Sequence, residues 1–150
     1  MLVYRISQTK YAEDLTGEGA RLFGGRWNRP MTPCLYSSES RALAMLEYSV
    51  NVSVYEIRRA LSFITLEINE KRIHEVKIHE LPGNWTDSII SQHTQDFGDY
   101  MLRVKKLEIV KIPSVVIHDE YNYLINPLYC KEIKIVEIKD YSYDLRVKMK

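Results

Sequence analysis

Apolar residues recur at helical spacing in two places along the chain. Over residues 41–52, Leu43, Leu46 and Val50 line one face, and the polar run Ser37-Ser38-Glu39-Ser40 just before them has the composition of a helix start. Over residues 94–106, Phe97, Met101 and Val104 predict a second helix, weakened by Gly98. Elsewhere the period is two. Ile64, Leu66 and Ile68 alternate with Thr65, Glu67 and Asn69, and short strands are expected at 2–6 and 34–36. Residues 131–138 and 141–147 read as two C-terminal strands separated by Lys139-Asp140. The β-branched run 107–117 is interrupted by Pro113, which predicts an edge strand, a bulged strand or two pieces. Residues 72–85 have no clear period, and 7–33 read as a long glycine-rich loop, a length that usually signals either function or a misassigned element. Strands outnumber helices and do not alternate with them one for one, so the expected class is α+β rather than a doubly wound parallel sheet.

Composition narrows the field without naming a chemistry. The 150 residues fit one domain, expected to span 1–150, and 45% hydrophobic with 27% charged residues excludes collagen-like, disordered and coiled-coil classes. No apolar run approaches the ~18 residues of a membrane span, and the opening MLVYRISQTK lacks the basic-then-apolar order of a signal peptide. A cytoplasmic protein that does not engage membranes is therefore expected. With 21 Lys+Arg against 20 Asp+Glu, electrostatics argues against direct nucleic-acid binding. Cys34 and Cys130 are too few for a disulfide framework and read as small buried hydrophobes. His74 and His79 are spaced i, i+5, about 140° apart on a helix, so they do not form a zinc-protease pair, and no metal is expected.

Three places carry candidate chemistry. On the first helix, with Leu43 as origin, Leu46 and Val50 fall roughly 60° and 20° to one side and Glu47 roughly 40° to the other. Glu47 thus flanks the apolar stripe, either as a salt-bridged or solvated carboxylate or as one held at a pocket edge. The segment GEGARLFGGRWN (17–28) joins glycines, which let backbone approach a ligand, to the fork-shaped donors of Arg21 and Arg26. It has neither dinucleotide-fingerprint nor P-loop spacing, and reads equally as a turn anchored by Trp27 or a phosphate-contacting loop. Finally, Pro113-Ser114 and the run from Asn122 to Pro127 are turn signals, with Asn126 biased to extended backbone by the proline after it.

Taken together and in order, Val3-Tyr4-Arg5, GEGARLFGGRWN (17–28), LYSSESRALAMLEYSV (35–50), IPSVVIHDEYNYLINP (112–127) and Tyr143-Asp144-Leu145-Arg146 resemble the RES domain, the toxin half of bacterial toxin–antitoxin pairs. The resemblance spans nearly the whole chain. It departs where Tyr129-Cys130 stands for the usual His-Pro pair, and the segment VKKLEIVKI before Pro113 is more charged than is typical. The resemblance implies a split β-sheet like that of ADP-ribosyltransferases. It also implies cleavage of the nicotinamide–ribose bond of NAD with transfer of ADP-ribose to phosphate, or alternatively to a protein. The family's arginine, glutamate and serine fall on Arg26, Glu47 and Ser114, and Tyr36 matches a further pocket residue; Arg21 and Asn126 are secondary candidates for polar contacts or loop support. An Xre-type helix-turn-helix antitoxin is the implied partner, and a homodimer is compatible with it. Two other classes compete: a non-catalytic antitoxin-binding domain and a ribonuclease toxin. The neutral charge balance and the absence of an evident His/Glu/Arg cluster weigh against the ribonuclease.

Overall fold

The computed structural model describes residues 1–57 and 60–148. Seven strands form one sheet: β1 (Leu2–Gln8), β2 (Leu35–Ser38), β3 (Leu61–Ile68), β4 (Ile73–Glu75), β5 (Ile109–Pro113), β6 (Tyr121–Ile125) and β7 (Ile133–Tyr141). They run in the order β4-β5-β6-β2-β1-β3-β7. Only the β4–β5 pair is parallel; the others are antiparallel. Three α-helices, α1 (Glu18–Phe23), α2 (Arg41–Asn51) and α3 (Gln92–Asp99), lie between strands, and the last continues as a π-helical turn over Tyr100–Val104. The α+β class and the split sheet are both present. β1 pairs with β3 over seven register positions, whereas β1 and β2 meet at one, Tyr4 opposite Ser38. The sheet opens at that junction into a β4-β5-β6-β2 half and a β1-β3-β7 half.

Strand alternation sorts the core to the two faces. On β6, Tyr123 and Ile125 join a cluster with Val3, Leu35, Ile64 and Leu66, while the intervening Leu124 joins Trp27, Trp85, Leu102, Val110 and Ile112 on the other side. Each fully buried aliphatic side chain here contributes roughly 1.5–3 kcal/mol. Cys34 and Cys130 are free and buried, one in each cluster.

Helix α2 begins where the polar run indicates. Ser40, in extended backbone, accepts the Leu43 amide at 3.1 Å as its N-cap, and the helix ends as Val52 returns to extended geometry. It packs on β1 and β2 across the split, and Leu43, Ala44 and Ser49 are its buried residues.

Several expectations need correction. The loop at 7–33 contains α1 and a 3-10 turn at Thr9–Tyr11. β5 is an interior strand; Pro113 is tolerated because it is the last residue of the ladder. The two expected C-terminal strands are one, β7, with Lys139 and Asp140 paired to Phe63 and Ser62, and the chain beyond Tyr141 forms a 3-10 turn at Leu145–Val147. Strand β6 occupies what reads as a turn. Val50 is exposed rather than core-facing.

Candidate active site

A cleft lies over the split, in two lobes of about 590 and 200 Å³ that share Tyr36, Glu47, Asn51, Val52 and Asn122. The larger lobe is within the range of small-molecule sites. Its apolar wall is Trp27, Ile90, Val115 and Val116, and Arg26 stands on its rim of Gly24 and Gly25. The smaller lobe adds Tyr4 and Arg5 from β1 and Ser38 from β2.

Glu47 sits where the lobes meet, half-buried on α2. Its Oε1 accepts two hydrogen bonds of 2.6 Å, from Ser114 Oγ and from Asn122 Nδ2. Ser114 is 0% exposed, and its Oγ accepts the amides of Val116 (3.0 Å) and Ile117 (3.1 Å). With both lone pairs taken, the hydroxyl proton is directed at Glu47. Among the described residues Glu47 Oε2 has no hydrogen-bond partner, so the carboxylate presents one anchored and one available oxygen.

Arg26 is carried by a loop whose shape depends on close packing. A Cβ on Gly25 would lie 2.8 Å from the Tyr36 hydroxyl and 3.0 Å from Asn28 Oδ1. Asn28, 0% exposed, ties the loop internally by donating Nδ2 to the carbonyls of Ala20, Arg29 and Thr32. Helix α3 clamps it from outside: Gln95 donates to the Gly25 carbonyl, Asp99 accepts the Arg29 amide, and Asp96 pairs with the Arg29 side chain. A Cβ on Gly98 would lie 1.7 Å from the Trp27 carbonyl oxygen, so only glycine lets α3 approach this loop. The Arg26 Nη1 donates to the carbonyls of Trp85 (3.1 Å) and Asp87 (2.7 Å), and its other N–H groups have no partner among the described residues. Burial lowers the guanidinium from its ordinary value, while the nearby charge of Glu47 opposes that.

The Tyr36 hydroxyl is turned inward, donating to Asn28 Oδ1 at 2.6 Å and accepting the Trp27 amide at 3.1 Å. Burial pushes its pKa well above the ordinary phenol value, so it stays neutral, and what it offers the cleft is its ring.

The structure therefore brings Ser114, 67 residues beyond Glu47 along the chain, to Arg26, Tyr36 and Glu47, which three successive stretches supply. Arg21 and Asn126 are not brought with them. Arg21 is held by Glu18 through Nε (2.7 Å) and Nη2 (2.6 Å), outside the cleft lining. Asn126, 1% exposed, spends its amide on the carbonyls of Leu102 and Leu107, tying β6 to the turn after α3. Two cleft residues escaped the sequence reading, though each left a signal. Arg5 shares a strand face with the fully buried Val3, and Asn122 shares one with the fully buried Leu124; a polar side chain on a buried strand face needs a partner or a purpose.

No helix among the described residues is long and apolar enough to cross a membrane, and none of them form a group of three or more His, Cys, Asp or Glu suited to a metal. His74 on β4 and His79 in a 3-10 turn stand on separate elements.

The RES domain profile matches residues 2–146. A protein of Photorhabdus laumondii named Toxin Res is 31% identical, covering 98% of this chain and 97% of its own. A Sphingobium protein named Prs ADP-ribosylating toxin is 29% identical over 94% of this chain and 91% of its own. Among solved structures, the M. tuberculosis MbcT-MbcA toxin-antitoxin complex contains a chain that superposes with a TM-score of 0.75 at 18% identity, covering 94% of this chain and 84% of that one, which establishes the shared fold.

Proposed function

The chain belongs to the RES domain family, and from that premise we propose that it is a bacterial toxin that breaks the nicotinamide–ribose bond of NAD and passes the ADP-ribosyl group to phosphate. One observation carries this reading: a carboxylate at the junction of two lobes, anchored through Oε1 by Ser114 and Asn122 and left with Oε2 for a ligand.

The chemistry asks little else of the protein. The bond between the ribose C1′ and the ring nitrogen breaks with its electron pair going to nicotinamide, which departs neutral and needs no general acid. Positive charge passes to the ribose, where an oxocarbenium-like centre is stabilised by a fixed anion. Glu47 is assigned that role, its Oε2 accepting from a ribose hydroxyl. A phosphate oxygen then closes the new bond at C1′.

Arg26 is assigned to the pyrophosphate or the incoming phosphate, since its unpaired N–H groups form a planar fork suited to two oxygens. Arg5, lining the smaller lobe, supplies a second cation. The ring of Tyr36 borders the nicotinamide, its hydroxyl being committed elsewhere. Ser114 acts on Glu47 rather than as a nucleophile, because its proton and both lone pairs are engaged.

Transfer to a protein is the second reading, favoured by the relative named Prs ADP-ribosylating toxin. An antitoxin partner, of the Xre type that the resemblance implies, is supported by the toxin-antitoxin complex that shares the fold; a segment laid over the cleft would exclude NAD. The deciding experiment follows nicotinamide and the ADP-ribosyl product in phosphate and in phosphate-free buffer. Release that rises with phosphate and yields an ADP-ribosyl phosphate supports the first reading. Equal release in both, with label appearing on protein, supports the second. No release in either refutes NAD cleavage.

A further inference from the structure

The support of Glu47 extends one residue further than the cleft requires. Asn122, which donates Nδ2 to Glu47 Oε1, accepts through Oδ1 from Ser38 Oγ at 2.6 Å. The chemistry of the groups permits one direction only. An ionised carboxylate accepts, so Asn122 turns its NH2 toward Glu47; its amide oxygen also only accepts, so Ser38 sends its single proton there. Ser38 and Asn122 are directly opposite in the β2–β6 ladder, and Ser38 is also the residue that faces Tyr4 in the one pair joining the two halves of the sheet. Ser38, 3% exposed, is as buried as its neighbour Ser37, yet Ser37 satisfies its hydroxyl on the Tyr123 carbonyl. A backbone acceptor thus suffices for the one serine, while the other is directed at the side chain that holds the carboxylate.

We propose that Ser38 and Asn122 form a positioning relay that fixes the orientation of Glu47 and thereby leaves Oε2 available to the ribose. The proposal rests on the reading of Glu47 given above. Without the Ser38 hydroxyl, the Asn122 amide is held at one end only, by its bond to Glu47, and is free to swing about it. The second donor to Oε1 would be loosened.

Kinetics and a spectroscopic signal test this together in the full chain. Ser38→Ala is expected to lower kcat for nicotinamide release about tenfold and Asn122→Ala about a hundredfold, the scale of losing hydrogen bonds to a charged group, with KM for NAD little changed after Ser38→Ala. Because Ser38 acts only through Asn122, the double variant is expected to be no slower than Asn122→Ala alone. Ser38→Thr, which keeps the hydroxyl, is expected to restore most of kcat. The side-chain amide resonances of Asn122 are expected to shift in both Ser38→Ala and Glu47→Gln. Wild-type kcat in Ser38→Ala, multiplicative loss in the double variant, or failure of Ser38→Thr to rescue a folded protein overturns the relay. Unmoved Asn122 resonances overturn it whatever the activity. Resonances that shift in both variants while the wild-type protein releases no nicotinamide refute NAD cleavage, and with it the catalytic purpose of the relay.

Discussion

Ser114 Oγ lies 2.6 Å from Glu47 Oε1 and, because two backbone amides already occupy its lone pairs, can only donate to it. The serine is therefore an anchor for the carboxylate, and this sets what its removal does. Ser114→Ala deletes a hydrogen bond to a charged group and leaves the half-buried Val116 and Ile117 amides without their acceptor. Nicotinamide release is expected to fall about 10–100-fold, with stability lowered by about 1–3 kcal/mol. Ser114→Cys or Ser114→Ala at wild-type turnover would show that Glu47 does not depend on it.

Arg26→Lys tests the fork. An ammonium is a point charge without the guanidinium's fixed geometry, and the native side chain is already bound to two carbonyls through one nitrogen. At least a tenfold loss of kcat/KM for NAD is expected, on the order of one bidentate contact. Unchanged kcat/KM would remove Arg26 from phosphate recognition.

Gly98→Ala tests the clamp on the Arg26 loop. The added methyl would meet the Trp27 carbonyl at 1.7 Å, a backbone neighbour with little room to give. Destabilisation of about 1–3 kcal/mol or more is expected, with Tm lowered by several degrees and NAD affinity reduced as α3 moves off the loop. An unchanged Tm would show that α3 can shift freely.

The stability profile at alkaline pH follows from the buried acids. Burial raises the Cys34 thiol above its usual 9.0, the Tyr36 phenol well above 10.0, and the Tyr123 phenol from 10.0 to about 12. Above these ordinary values the unfolded chain releases protons that the folded chain retains. The folded state then binds more protons, and stability falls as pH rises. The contribution is complete below pH 9.0, where the unfolded groups are still protonated, and declines steadily from there through about 12 as Tyr123 titrates. Tm measured from pH 8 to 11 (a range chosen to span these values) is expected to drop, less steeply at its lower end in Cys34→Ala. A flat profile contradicts the burial of these groups.

Much of this was legible in the residues, and the misses share a cause. Helix α2 and strands β1 and β3 announce themselves because local period and burial agree. Glu47 stood out for the same reason, as a charge against an apolar stripe. Strand β6 did not, because Asn122 and Asn126 are turn formers by composition; their amides are instead spent on Glu47 and on the carbonyls after α3, partners 75 and 24 or fewer residues away. Val50 belongs to the apolar stripe by period yet is exposed, because α2 covers a split rather than a closed sheet and one flank of its stripe faces the cleft. The glycine-rich neighbours of Arg21 point to the site, but α1 gives it Glu18 at i, i−3, a local pairing that takes it out of the site.

The most direct test is nicotinamide release from NAD by wild-type protein and by Glu47→Gln. The amide has the size of the carboxylate and can still accept from Ser114, so the fold and its Tm are expected to be retained, while the fixed negative charge beside the ribose is gone. Release by the wild type and its loss in Glu47→Gln is the expected result. Full release by a folded Glu47→Gln variant would contradict the assignment of Glu47 as the carboxylate that stabilises the ribose as nicotinamide departs.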